Sequence, residues 1–98
     1  MTARGDIAVV IPAFNEAATL ADIAQRAAAL TDKVWVVDDG STDDTPDILP
    51  QLPCRALRHE VNAGKGASLR SGMTAALEYQ PEAVITLDAD GQHPPEAI

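Results

Sequence analysis

Residues 7–12 read Ile-Ala-Val-Val-Ile-Pro and residues 34–39 read Val-Trp-Val-Val-Asp-Asp. Each opens with a continuous apolar run rich in β-branched residues, apolar on both alternating sets of positions. That is the pattern of a strand buried on both faces, as in a parallel sheet covered by helices above and below. Pro12 is expected to stop the first strand at Ile11, and Asp38-Asp39-Gly40-Ser41 to form a polar turn after the second. Between the two runs, Leu20, Ile23, Ala24 and Ala27 follow the i, i+3, i+4, i+7 spacing of an amphipathic helix, which predicts a helix over 17–30. Asn15 is a candidate cap for it, and Glu16 suits its N-terminal dipole.

The same alternation continues outward. A short helix with Thr45 as N-cap and Pro46 at its first position is predicted next, closed by Pro50 and Pro53. A weaker edge strand is expected over 54–57. The stripe Leu69, Gly72, Met73, Ala76 and Leu77 predicts a helix over 66–79, and Ala83-Val84-Ile85-Thr86-Leu87 a fourth strand. This β-α-β-α-β-α-β order implies right-handed crossovers and a three-layer α/β/α fold with a mostly parallel sheet, whose site lies at the carboxyl ends of the strands. Residues 93–98 look like the opening turn of a further helix. The expectation is therefore a single, apparently truncated domain over 1–98, with exposed apolar sheet surface that invites self-association.

Composition narrows the partners. Seven Lys and Arg against fifteen Asp and Glu give a net charge of −8 and a pI near 4.4. So acidic a chain repels nucleic-acid phosphates and offers no basic footprint for a membrane surface. With 46% apolar and 22% charged residues the chain has a globular balance. Its longest apolar stretch falls far short of the ~20 residues that span a bilayer. No secretory leader is visible and the lone Cys54 has no intrachain partner, so a cytoplasmic protein is expected.

The polar clusters fall at the strands' carboxyl ends. Asp88 and Asp90 are two apart, so in an extended chain they share a side and could share one hard cation, Mg²⁺ or Mn²⁺, with Gln92 as a further oxygen donor. The alternative is a plain Asp turn before Gly91. Acidic groups gathered at one edge favour the metal, since a nucleoside diphosphate could not enter so negative a pocket without one. Of Asp38 and Asp39, one carboxylate should face the cleft, where it suits the N–H of uracil or guanine, while the other serves the turn. Lys65 opens a helix and could meet a phosphate or the acidic cluster, or be a solvated surface residue. Asn62-Ala63-Gly64-Lys65-Gly66 is not a Walker loop, because residue 59 is His and residue 66 is Gly. His59, His93 and Cys54 show no base partner in the sequence, and Arg70 reads as structural.

Four segments, IPAFNEAATL (11–20), VVDDGSTDDT (36–45), NAGKGASLRSGM (62–73) and LDADGQHPPE (87–96), together resemble the family 2 glycosyltransferases of the GT-A fold. The likeness is nearest to the dolichyl- and polyprenyl-phosphate sugar transferases. It implies the nucleotide-binding half of a GT-A (nucleotide-diphospho-sugar transferase) fold. It also implies inverting transfer of a hexose from a UDP- or GDP-sugar to an acceptor, a polyprenyl phosphate or a saccharide. Pro12, Ala13, Phe14, Glu16, Asp39, Lys65, Asp88 and Ala89 would line the nucleotide site, and Asp88, Asp90 and Gln92 would hold the metal. The acceptor half and any catalytic base lie outside these residues, and through that half or its acceptor the protein would sit peripherally at a membrane. A non-catalytic nucleotide- or metal-binding module acting with another chain is the alternative. A phosphoacceptor signalling domain fits poorly, because its acidic pair should follow the first strand and its lysine the last.

Overall fold

The computed structural model describes residues 7–89. Four strands, β1 (Ile7–Ala13), β2 (Lys33–Asp39), β3 (Arg55–His59) and β4 (Ala83–Thr86), form one parallel sheet in the order β3-β2-β1-β4. The two most apolar runs are thus the central strands, and β3 is an edge as expected. The helices are α1 (Ala17–Ala28), α2 (Thr45–Ile48, followed by a 3-10 turn over Leu49–Gln51) and α3 (Lys65–Leu77).

Alternation along β1 and β2 divides the core. Val9, Ile11, Val34 and Val36 pack with Leu20, Ile23 and Ala27 of α1 and with Leu49. Val10, Trp35 and Val37 pack on the other face with Ala76 of α3. This is the three-layer arrangement that the sequence implies. Burying six such Val and Ile side chains, at roughly 1.5–3 kcal/mol each, makes the β1–β2 pair the main source of stability.

Several boundaries differ from the sequence reading, each for a local reason. Helix α1 ends at Ala28 rather than residue 30, where Thr31 turns to donate its hydroxyl to the Ile7 carbonyl at 2.7 Å. Thr45 is not the N-cap of α2. Asp44 holds that position, and Thr45 is the first helical residue, its N–H taken by Asp43 Oδ1 at 2.9 Å. The stripe expected to seat α3 is only half correct: Met73 and Leu77 are exposed, and the buried row is Ser68, Gly72 and Ala76. Small residues are required there because the helix lies almost on the sheet. A Cβ on Gly72 would stand 2.3 Å from Val10 Cγ1 and 3.1 Å from Val37 Cγ2.

Pro12 does not end β1. The strand runs on to Ala13, with Pro12 opposite Val37 and Ala13 opposite Asp38 of β2. What Pro12 ends is the other ladder. Leu87 donates its N–H to the Val10 carbonyl at 3.0 Å, and in a parallel ladder the next rung would need an N–H from residue 12, which proline lacks. Pairing with β4 therefore stops at Thr86, opposite Val10, while pairing with β2 continues. A crevice opens between β1 and residues 87–89.

Candidate functional site

The crevice is part of a cavity of about 320 Å³ at the carboxyl edge of the sheet. Pro12, Ala13, Phe14 and Glu16 line it from the β1–α1 connection, Asp39 from the end of β2, Lys65 from the first turn of α3, and Asp88 and Ala89 from the segment after β4. All eight residues expected around a nucleotide thus border one space, with Asn62, Gly64 and Ser68 in addition. Asp90 and Gln92 lie outside the described residues.

Two loops are locked together to form one wall. Asn15 adopts a left-handed backbone (φ 53°), a conformation Asn tolerates better than most residues, and donates its N–H to Ser41 Oγ at 2.9 Å. Its side-chain Oδ1 accepts the N–H of Thr42 at 2.8 Å and of Asp43 at 3.2 Å. Asp43 reciprocates by accepting the Ala17 N–H, so the start of α1 is capped from the neighbouring loop and not by Asn15. The Thr45 hydroxyl, with the Thr45 and Ala17 N–H groups, outweighs burial and holds the Asp43 carboxyl below its ordinary value. Gly40 completes the turn at φ +74°, where a Cβ would press on the backbone of Val61 and Asn62.

The adjacent acids divide their work as the sequence suggests. Asp38 is fully buried, accepts the Ser41 N–H at 3.0 Å and pairs with Arg58. Asp39, on the other face of β2, borders the cavity. Its Oδ1 accepts from His59 Nδ1 at 2.8 Å and the Ala63 N–H at 2.9 Å, and its Oδ2 from the Gly64 N–H at 2.9 Å. Burial raises the Asp39 pKa, but the Ala63 N–H, His59 and the Gly64 N–H together hold the carboxyl below the usual carboxylate range. The group stays ionised at neutral pH and keeps acceptor capacity.

Across the cavity, Lys65 Nζ lies 2.6 Å from Asp88 Oδ1, and Thr19 donates its hydroxyl to the Ala89 carbonyl, tying α1 to this segment. Among the described residues no group of three or more His, Cys, Asp or Glu could hold a metal. Asp88 alone represents the expected oxygen set there. Sequence reasoning missed His59, Arg58 and Asn15 as participants. The first two are revealed by the pairing register Asp38↔Arg58 and Asp39↔His59, which exists only in the folded sheet. Cys54 is half-buried and burial pushes its thiol pKa up, consistent with an unreactive side chain.

The model of glycosyl transferase family 2 matches residues 8–98. The chain belongs to that family. This family 2 chain is 31% identical over 110 residues to the UDP-N-acetylglucosamine–dolichyl-phosphate N-acetylglucosaminyltransferase of Methanococcus voltae, a match covering 94% of this chain and 44% of that protein. It is 36% identical over 104 residues to the undecaprenyl-phosphate 4-deoxy-4-formamido-L-arabinose transferase of Pseudomonas syringae, covering 94% of this chain and 30% of the relative. The crystal structure of the glucosyl-3-phosphoglycerate synthase of M. tuberculosis matches with a TM-score of 0.72 and 32% identity, over 86% of this chain and 34% of that one. The chain thus spans less than half the length of each of these three proteins. The fold is that of a GT-A glycosyltransferase, in agreement with the sequence reading. No helix among the described residues is long and apolar enough to cross a membrane.

Proposed function

We propose that these residues bind the donor of an inverting glycosyltransferase, a uridine diphosphate hexose, for transfer to a lipid-phosphate acceptor. The observation that carries this reading is the single cavity in which an aromatic side chain, an ionised acceptor and a lysine at a helix start stand together. Phe14, 43% exposed despite its size, offers an apolar face to the base. Asp39 accepts a base N–H. A carboxylate has about four lone-pair sites, and among the described residues His59, Ala63 and Gly64 occupy three of those on Asp39. The one left matches the single ring N–H of uracil, whereas guanine presents two donors side by side.

The first turn of α3 and Lys65 would receive the diphosphate, since helix N-termini favour anions. Asp88 offers hard oxygens, and its contact with Lys65 marks a position that draws positive charge. Mg²⁺ or Mn²⁺ held by Asp88 with Asp90 and Gln92 would stabilise the charge that builds on the leaving diphosphate. An acceptor that is already an ionised phosphate needs no general base, in line with the dolichyl-phosphate and undecaprenyl-phosphate in the relatives' names.

Calorimetric titration with UDP and GDP, with and without Mn²⁺, tests the reading. UDP is expected to bind more tightly than GDP, only with metal, and not in Asp90→Ala. Equal, metal-independent responses to both nucleotides would refute it.

A further inference from the structure

His59 and Ser71 do not line the donor cavity, and His59 takes part in the site only as a donor to Asp39. In the fold they stand in line behind Asp39. The β2–β3 register sets His59 directly beside Asp39 on the α3 face of the sheet. His59 Nδ1 lies 2.8 Å from Asp39 Oδ1, and His59 Nε2 lies 2.9 Å from Ser71 Oγ in α3. The imidazole is largely buried, with 23% of its side chain exposed, and Asp39 is more so, at 5%. His59 and Ser71 border a separate open groove between β3 and α3, while Asp39 borders the donor cavity. The chain of three therefore reaches the cavity only through the carboxylate.

The proton positions follow from chemistry. An ionised carboxylate only accepts, so Nδ1 must carry hydrogen, and of the two neutral tautomers the one that satisfies Asp39 presents Nε2 as an acceptor for the Ser71 hydroxyl. Each group has one role, and the carboxylate plane is fixed from β3 and α3 as well as from the 63–64 backbone. Without the imidazole the carboxylate is held only by the Ala63 and Gly64 N–H groups, one on each oxygen and both from a connecting loop, so its plane follows that loop instead of the sheet and α3.

We propose that His59, oriented by Ser71, is a positioning residue that turns the last lone pair of Asp39 toward the nucleobase. This inference rests on the nucleotide-binding reading. It predicts an effect confined to the base, because pyrophosphate has no reason to touch Asp39.

The test is calorimetry on the full chain with UDP and with inorganic pyrophosphate, both with Mn²⁺. Wild type is expected to bind UDP more tightly than pyrophosphate. His59→Ala should weaken UDP about tenfold, a scale set by one misdirected hydrogen bond, and leave pyrophosphate nearly unchanged. His59→Asn, whose amide nitrogen can replace Nδ1 as a donor, should recover most of the loss. Ser71→Ala should cost roughly threefold for UDP alone, as expected for loss of an indirect contact. If His59→Ala proves unfolded, His59→Asn and Ser71→Ala decide the matter. Nitrogen NMR of the wild-type ring supplies a readout that needs no nucleotide, and the Nδ1–H tautomer is expected.

An Nε2–H tautomer overturns the proposal. So do His59→Ala and Ser71→Ala proteins that keep the UDP-to-pyrophosphate ratio of wild type, whether by binding both ligands as wild type does or by weakening both equally. If wild type itself binds the two ligands alike, the nucleotide reading fails and this inference with it. If wild type discriminates and the variants do so undiminished, only the role of His59 is lost.

Discussion

Asp39 keeps its charge at a position where burial opposes it, because three donors converge on it. Its folded pKa lies below the unfolded value of about 3.9, so below that pH the unfolded chain takes up the proton first. The resulting stabilisation is complete above about pH 5 and is lost as pH falls through the folded value. Denaturant unfolding at pH 7, 5, 4 and 3 should therefore show a steeper acid loss for wild type than for Asp39→Asn. At pH 7 the variant should be weaker by about 1–3 kcal/mol, since its amide sets a donor against a backbone N–H. Arg58 serves the other acid of the pair. Arg58→Ala would leave the fully buried Asp38 with the Ser41 N–H as its described donor. Because the guanidinium is partly exposed, the expected cost is about 2 kcal/mol, below the figure for a wholly buried pair. Chemical denaturation reads this directly, and Arg58→Lys should restore part of it.

At the scale of elements, α3 depends on closeness more than on apolar bulk. Gly72→Ala inserts a methyl group into Val10 and Val37, and the expected loss is about 1–3 kcal/mol by thermal or denaturant unfolding, despite the better helix propensity of Ala. The same helix shows what a sequence hides. Periodicity found the buried face of α1 residue by residue, because large apolar side chains report their own burial. In α3 the buried row is Ser68, Gly72 and Ala76, types that carry almost no hydrophobic signal, so the stripe drifted onto the exposed Met73 and Leu77. The parallel sheet and the edge position of β3 were legible from apolar runs and crossover rules. The role of Pro12 was not, since only the pairing partners reveal which of two ladders a missing N–H interrupts. Likewise Asn15 reads locally as a helix cap, but its partners, Ser41, Thr42 and Asp43, lie some 26–28 residues away along the chain. The candidate site was legible as residue types at strand ends. Its donors from His59, Ala63 and Gly64 depend on register and loop path, which no short window of sequence contains.

For the whole molecule, the cavity is bordered by the starts of α1 and α3, which cover opposite faces of the sheet. A nucleotide seated there would contact both layers, and it would bind only the folded chain. UDP with Mn²⁺ at about 100 times its dissociation constant should add about 2.7 kcal/mol and raise the melting temperature, with one transition for both layers. Differential scanning calorimetry would show this, and a transition that splits on adding ligand would argue against it. The interlocked loops around Asn15 carry the same connection to a finer grain. The amides of Thr42 and Asp43 belong to one crossover, but their hydrogen-bond acceptor, the Asn15 side-chain oxygen, belongs to another, so their exchange with solvent deuterium is slowed while that side chain holds them. Their isotope labelling thus reports how often the Asn15 side chain lets go of the neighbouring crossover, and an occupant of the crevice that steadies residues 12–16 would slow it without touching either amide.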